Sequence, residues 1–123
     1  MIKVVFCLRR QPHLSREEFQ RYWREDHAKV VLEHAKTFKM VRYVQSHSIG
    51  DGLDDGLRRS RQSGEPYDGI AEVWYADRES FASLGQDPAV HEADRIIRAD
   101  EKRFIDFSRS TIFVTEELEM LDG

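Results

Sequence analysis

Phe19-Gln20-Arg21-Tyr22-Trp23-Arg24-Glu25-Asp26-His27-Ala28 is the stretch from which the rest of the chain can be read. Phe19, Trp23, His27 and His34 recur at spacings of four, four and seven, and together with Val30 they rise along one side of a predicted helix. The core-facing stripe of that helix therefore carries imidazoles. A fully buried neutral histidine must hydrogen-bond both ring nitrogens, whereas a partly buried one can exchange a proton near neutral pH. For a histidine alone on an apolar face the simpler role is structural, so the residues around His27 have to decide.

Upstream, Ile2 to Arg9 is a β-branched run that ends before Pro12, and it predicts a strand. Ser15 with Glu18 three residues on is a capping box that opens the helix, expected from Arg16 to about Ala35. Phe38 to Ile49 predicts a second strand, with Lys39, Val41, Tyr43, Gln45 and His47 on one face. Residues 50–66 hold Gly50, Gly52, Gly56, Gly64 and Pro66 among many charges, and are expected to form a long mobile surface loop. Gly69 to Ala76 is the third strand, and Asp77 caps a short helix through about Leu84. Asp87-Pro88 opens another helix, with an apolar stripe of Val90, Ala93, Ile97 and Phe104. Arg109 to Thr115 is the last strand, followed by an acidic tail over residues 116–123.

The order β, α, β, β, α, β is the split βαβ arrangement of an α+β, ferredoxin-like fold with a four-stranded antiparallel sheet. Residues 1–123 form one domain on this plan. Phe38, Met40, Ile70, Trp74, Ile112 and Val114 are shared between alternating positions, so neither face of the sheet is polar enough to lie in water. A second copy packed sheet to sheet would cover the open face, and a homodimer is expected.

Composition narrows the function classes. A net charge of −4 argues against a nucleic-acid binder. The single cysteine, Cys7, allows neither an intramolecular disulfide nor a cysteine-held metal, and fits a reducing cytoplasm as a small buried hydrophobe. The apolar opening, Met1 to Leu8, is too short for a secretory or membrane segment, so no membrane partner is expected. No nucleophile elbow, phosphate loop, dinucleotide fingerprint or zincin motif occurs. His27 and His34 share a helix face but stand about 10.5 Å apart along the axis, too far for one metal ion. His13, His47 and His91 are expected at the surface, and no metal site is expected.

Two further carboxylate positions stand out. Glu72 is flanked on its own strand face by Ile70 and Trp74, and a carboxylate buried there needs a partner, for which His27 and Arg42 are the candidates. Asp100 and Glu101 interrupt the stripe between Ile97 and Phe104. Surface pairing with Lys102 or Arg103 is the expected role for these two.

With Phe19, Tyr22, Trp23, His27 and Ala28 on the first helix, Asp68-Gly69-Ile70-Ala71-Glu72-Val73-Trp74 on the third strand, and Asp100-Glu101 with Phe104 and Asp106 near the end, the chain resembles the EthD-domain family. It departs from that pattern at Lys29, where a proline is usual, and in the loop over residues 50–66. The resemblance spans nearly the whole chain and implies a dimeric α+β barrel, with a ligand cavity between helices and sheet in each subunit. It also implies a cofactor-independent enzyme for a small, apolar, aromatic or polyketide-like substrate, with lyase, cyclase, isomerase or dehydratase chemistry. On that expectation His27 is the general acid/base, Glu72 orients it, and Tyr22 or Tyr43 binds a developing oxyanion. Phe19, Trp23, Val30, Tyr43, Ile70 and Trp74 contact the substrate. The alternatives are a cofactor-free monooxygenase of a catabolic or ether-degrading type, a non-enzymatic small-molecule binding or accessory protein, and a haem enzyme with His27 or His34 as axial ligand.

Overall fold

In the computed structural model, which describes residues 1–123, every strand is placed by its pairing with β1 or β3. β1 (Ile2–Leu8) pairs antiparallel with both β3 (Gly69–Tyr75) and β4 (Thr111–Glu116), and β2 (Arg42–His47) pairs with the far side of β3. The sheet order is β2-β3-β1-β4, the four-stranded ferredoxin-like arrangement expected from the element order. The registers Val4↔Val73, Phe6↔Ala71, Phe6↔Ile112 and Tyr43↔Val73 put those side chains on one face, under the helices. Lys3, Val5, Cys7, Ile70, Glu72 and Trp74 alternate with them and lie on the other face. Cys7 is therefore half-buried on the open face rather than part of the core beneath the helices.

The first helical segment is three segments in succession. α1 (Arg16–Arg21) starts at the Ser15 and Glu18 capping box, a π-helical turn covers Tyr22–His27, and α2 (Ala28–Glu33) completes it. In a regular α-helix a row of residues four apart drifts by about 40° per step. The three steps from Phe19 to Val31 would carry the last side chain about 120° around the axis. The π turn, in which the Ala28 N–H donates to the Trp23 carbonyl five residues back, unwinds that drift. Phe19, Trp23, His27 and Val31 are consequently all buried, at 0%, 1%, 3% and 5% exposure. Val30, placed on this stripe by regular helical spacing, is displaced from it by the π turn.

Phe19 and Trp23 pack with Leu8, Phe104 and Ile105 as the main core, each large side chain contributing about 1.5–3 kcal/mol by leaving water. A second cluster of Ile2, Tyr75, Leu84 and Val90 lies toward the other end of the sheet. α5 (Pro88–Glu101), capped by Asp87, buries Val90, Ala93 and Ile97 as expected from its stripe. At Gly69 the Trp23 ring of the first helical segment sits directly against the backbone of β3. A Cβ there would run into the Trp23 ring and stand 2.8 Å from the Ser46 carbonyl oxygen.

Several elements differ from the sequence pattern, among them β4, which starts at Thr111 rather than Arg109 because residues 107–109 form a tight helical turn. β2 starts at Arg42, because residues 34–39 wrap the end of α2 in turns, with Lys39 at φ 56° and the Phe38 N–H bonded to the His34 carbonyl. Residues 50–66 contain a short helix, α3 (Asp55–Arg61). Gly50 and Gly52, at φ 71° and 89°, make the turn ahead of it, leaving Leu57-Arg58-Arg59-Ser60-Arg61 free to be helical. In the tail, Glu117 accepts a hydrogen bond from Trp74 Nε1 at 2.6 Å, while Leu118, Met120 and Leu121 are exposed. α4 (Arg78–Ala82) follows its Asp77 cap as expected.

Candidate active site

The π turn aims His27 into the space between helices and sheet, where α5 meets it with a carboxylate. His27 Nδ1 lies 2.6 Å from Asp100 Oδ2, and the Tyr22 hydroxyl donates to Asp100 Oδ1 at 2.5 Å. Asp100 accepts from both and is itself largely enclosed, with Arg103 Nε 3.9 Å from its outer edge. Burial pushes the His27 imidazole below its ordinary range, and the hydrogen bond and charge of Asp100 only partly offset this. The ring is thus neutral at neutral pH. A neutral imidazole that donates from Nδ1 to a carboxylate carries its lone pair on Nε2. Nε2 has no hydrogen-bond partner in the protein, and the ring forms part of a cavity wall.

That cavity, of about 110 Å³, is lined by 14 residues, 12 of them hydrophobic. Trp23, His27 and Val31 come from the first helical segment, Tyr43 from β2, Ala71 and Val73 from β3, and Ile97 and Glu101 from α5. Glu101 is the one carboxylate on the wall. It makes no side-chain hydrogen bond or ion pair, and burial, with a further contribution from Asp94, pushes it up to about 7. The far side of the cavity is held by Gln45, whose Nε2 donates to the Trp23 carbonyl at 3.0 Å and to the Tyr43 hydroxyl at 2.8 Å. His47 bonds Gln45 Oε1 at 2.8 Å and stacks on Trp23 with ring centroids 4.4 Å apart, so it is half-buried rather than a surface residue.

Of the expected site residues, His27, Trp23 and Tyr43 line the cavity, while Tyr22 does not and instead bonds Asp100 behind His27. Phe19 is sealed in the core against Phe104, and Val31 takes the place expected for Val30. Glu72, Ile70 and Trp74 do not join the site. The β1–β3 register turns them to the opposite face, where Glu72 pairs with Lys3 at 2.8 Å and Arg42 lies over the Trp74 ring. The carboxylate that orients His27 is Asp100, and Glu101 stands beside it inside the cavity. Surface pairing expected for these two survives only as the long contact from Arg103 to Asp100. Their spacing from Ile97 carried the signal, since positions three and four residues on share its buried face.

A haem does not fit this arrangement. A cavity of about 110 Å³ beside His27 is far smaller than a porphyrin, and His34 ends α2 without lining it. No three His, Cys, Asp or Glu side chains converge as a metal site, and no helix is long and apolar enough to cross a membrane.

The family model for the EthD domain matches residues 11–108, which includes both the π turn and Asp100-Glu101. No curated protein is significantly similar to the chain. Among solved structures, an ethyl tert-butyl ether D (EthD) family protein from Bacillus halodurans is similar at a TM-score of 0.62 with 16% identity, over 96% of this chain and 99% of that one. A dimeric protein of unknown function with a ferredoxin-like fold, from Bacteroides fragilis, follows at 0.56 and 8%, over 94% and 95%. SnoaB, a cofactor-independent oxygenase from Streptomyces nogalater, is similar at 0.54 and 14%, over 99% and 97%.

Proposed function

The chain belongs to the EthD domain family, and we propose that it is a cofactor-independent enzyme that moves protons on a small apolar, aromatic or polyketide-like molecule, with His27 as general base. The observation that carries this reading is the pairing of His27 Nδ1 with Asp100, which leaves Nε2 unpaired at the wall of an apolar cavity. Asp100 selects the tautomer and supports the imidazolium that forms when Nε2 takes a proton, a contribution typically of about 10²–10⁴ in rate. A planar carbon skeleton suits a wall built from Trp23, Tyr43, Val31, Val73 and Ile97. Such a base serves lyase, cyclase and isomerase steps. It serves equally the proton abstraction that opens cofactor-free oxygenation, and the similarity in fold to SnoaB, a cofactor-independent oxygenase, supports that version.

The working unit in this proposal is a homodimer joined through the open sheet face. Ile70 and Phe113 are exposed there beside Val5 and Val44, an apolar patch that a twin sheet would cover, and the similar Bacteroides fragilis protein is dimeric.

The test is a His27→Gln variant, assayed with whichever aromatic ketone or phenol the wild-type protein converts from a panel of such compounds. Gln retains hydrogen bonding but cannot exchange a proton at neutral pH. The variant should stay folded, bind the compound and lose conversion. Unchanged conversion by a folded variant contradicts the proposal.

A further inference from the structure

Glu101 has no part in holding His27, yet it lines the cavity with no side-chain hydrogen bond or ion pair of its own. It sits where two spaces meet. Phe6, Ile97, Ile112 and Glu101 form a wall common to the inner cavity of about 110 Å³ and an outer cleft of about 370 Å³ between α5, β4 and the turn at Phe107. Its neighbour Asp100 is spent on His27 and Tyr22, and Arg98, which could have neutralised it, is bonded to Asp94 at 2.7 Å. A half-buried carboxyl on a mostly apolar wall, with no hydrogen bond or counter-ion from the protein, favours its protonated form.

Resting on the reading of His27 as base, we infer that Glu101 is the catalytic acid of the same reaction, protonating a substrate oxygen at the mouth of the inner cavity while His27 Nε2 removes a proton from the adjacent carbon. The geometry places base and acid on one small cavity, with the acid toward the outer cleft. The substrate class that fits is a flat ketone whose ring fills the inner cavity and whose carbonyl points outward. In the step, the α-carbon C–H bond breaks and its proton goes to Nε2. The electron pair forms the carbon–carbon double bond of an enol, and the carbonyl oxygen takes the proton of Glu101. The imidazolium proton then returns to carbon, at the same position or at one conjugated with it, while the enol hydroxyl proton goes back to Glu101, so both residues are restored. Exchange of the imidazolium proton with solvent before that return is what labels the substrate carbon. Environments that depress a base and elevate an acid side by side are the arrangement such a step requires. The titratable and charged groups around Glu101 are Asp94, Arg98 and Asp100 on its own helix, His27 on the π turn and Tyr43 on β2. From β1 and β4 the wall it shares is apolar, formed by Phe6 and Ile112.

The probe is 2-tetralone, a fused aromatic ketone, incubated with the protein in heavy water while proton NMR follows loss of its α-hydrogens. Wild-type protein should accelerate exchange over buffer, with a rate that falls as pH rises through about 7. Glu101→Gln should still bind 2-tetralone, exchange it roughly a hundredfold more slowly and lose that alkaline fall. Exchange by Glu101→Gln equal to wild type overturns this inference and leaves His27 as base. Exchange by His27→Gln equal to wild type, or bound probe without exchange in wild type, overturns both. A carbon-13 titration of the Glu101 carboxyl in the free protein gives a probe-independent answer: ionisation near pH 7 is expected, and ionisation in the ordinary carboxylate range overturns the inference.

Discussion

Replacing Glu101 with Gln should make the folded chain less sensitive to alkali, by an amount that follows from the cavity. In the unfolded chain Glu101 ionises near its ordinary 4.5, and in the folded chain near 7. Between those values the native state holds a proton that the unfolded state has lost, so native stability falls as pH rises. The loss is absent below about pH 4.5, accrues at about 1.4 kcal/mol per pH unit, and is complete above about pH 7. It comes to about 3 kcal/mol at most, because water reaching the carboxyl from the outer cleft lowers the cost of ionisation. Gln fills the same space and does not titrate. Urea unfolding of the two proteins at pH 5 and pH 8.5 should therefore show the difference in unfolding free energy shifting toward Gln by about 2–3 kcal/mol. His27 contributes a slope of opposite sign below about pH 6.5, since its depressed native form must be charged to unfold, and this is common to both proteins. Parallel pH dependences for Glu and Gln would show that Glu101 ionises alike in the folded and unfolded chains.

Asp100→Ala removes the acceptor of both Tyr22 and His27 and should cost about 2–4 kcal/mol by urea unfolding, since two enclosed donors lose their partner. Asp100→Asn should cost less, because the amide oxygen still accepts from His27 Nδ1–H while its N–H donates to the Tyr22 hydroxyl oxygen, whose own hydrogen turns away. Phe113→Glu, on the open sheet face, should convert a dimer into a monomer of 14.5 kDa by light scattering at micromolar concentration; a variant that still dimerises would show that the copies join elsewhere.

The element order was legible in the chain because its signals are local: the Ser15 and Glu18 box, the Asp77 and Asp87 caps, and strand alternation each act within a few residues. His27 was legible for the same reason, as its four-residue spacing from Trp23 survives whether the turn is α or π. Val31 was not, because regular helical periodicity carries no sign of the π turn that brings it under Trp23 and His27. Glu72 illustrates a second limit. Alternation shows that Ile70, Glu72 and Trp74 share a face, but which face the helices cover depends on long-range pairing of β1 with β3. Asp100 had the right spacing from Ile97, yet a charged pair at a helix end is so often solvated that only the meeting of α5 with the π turn distinguishes it.

Asp100 holds His27 as a neutral imidazole with Nε2 ready to take a proton. Nitrogen-15 NMR of histidine-labelled protein reads this directly, with His27→Gln identifying the resonance. The expected result is a proton on Nδ1, a bare Nε2 at pH 7, and protonation of the ring only at pH below the ordinary 6.5. A proton on Nε2, or an imidazolium persisting at pH 7, would contradict it.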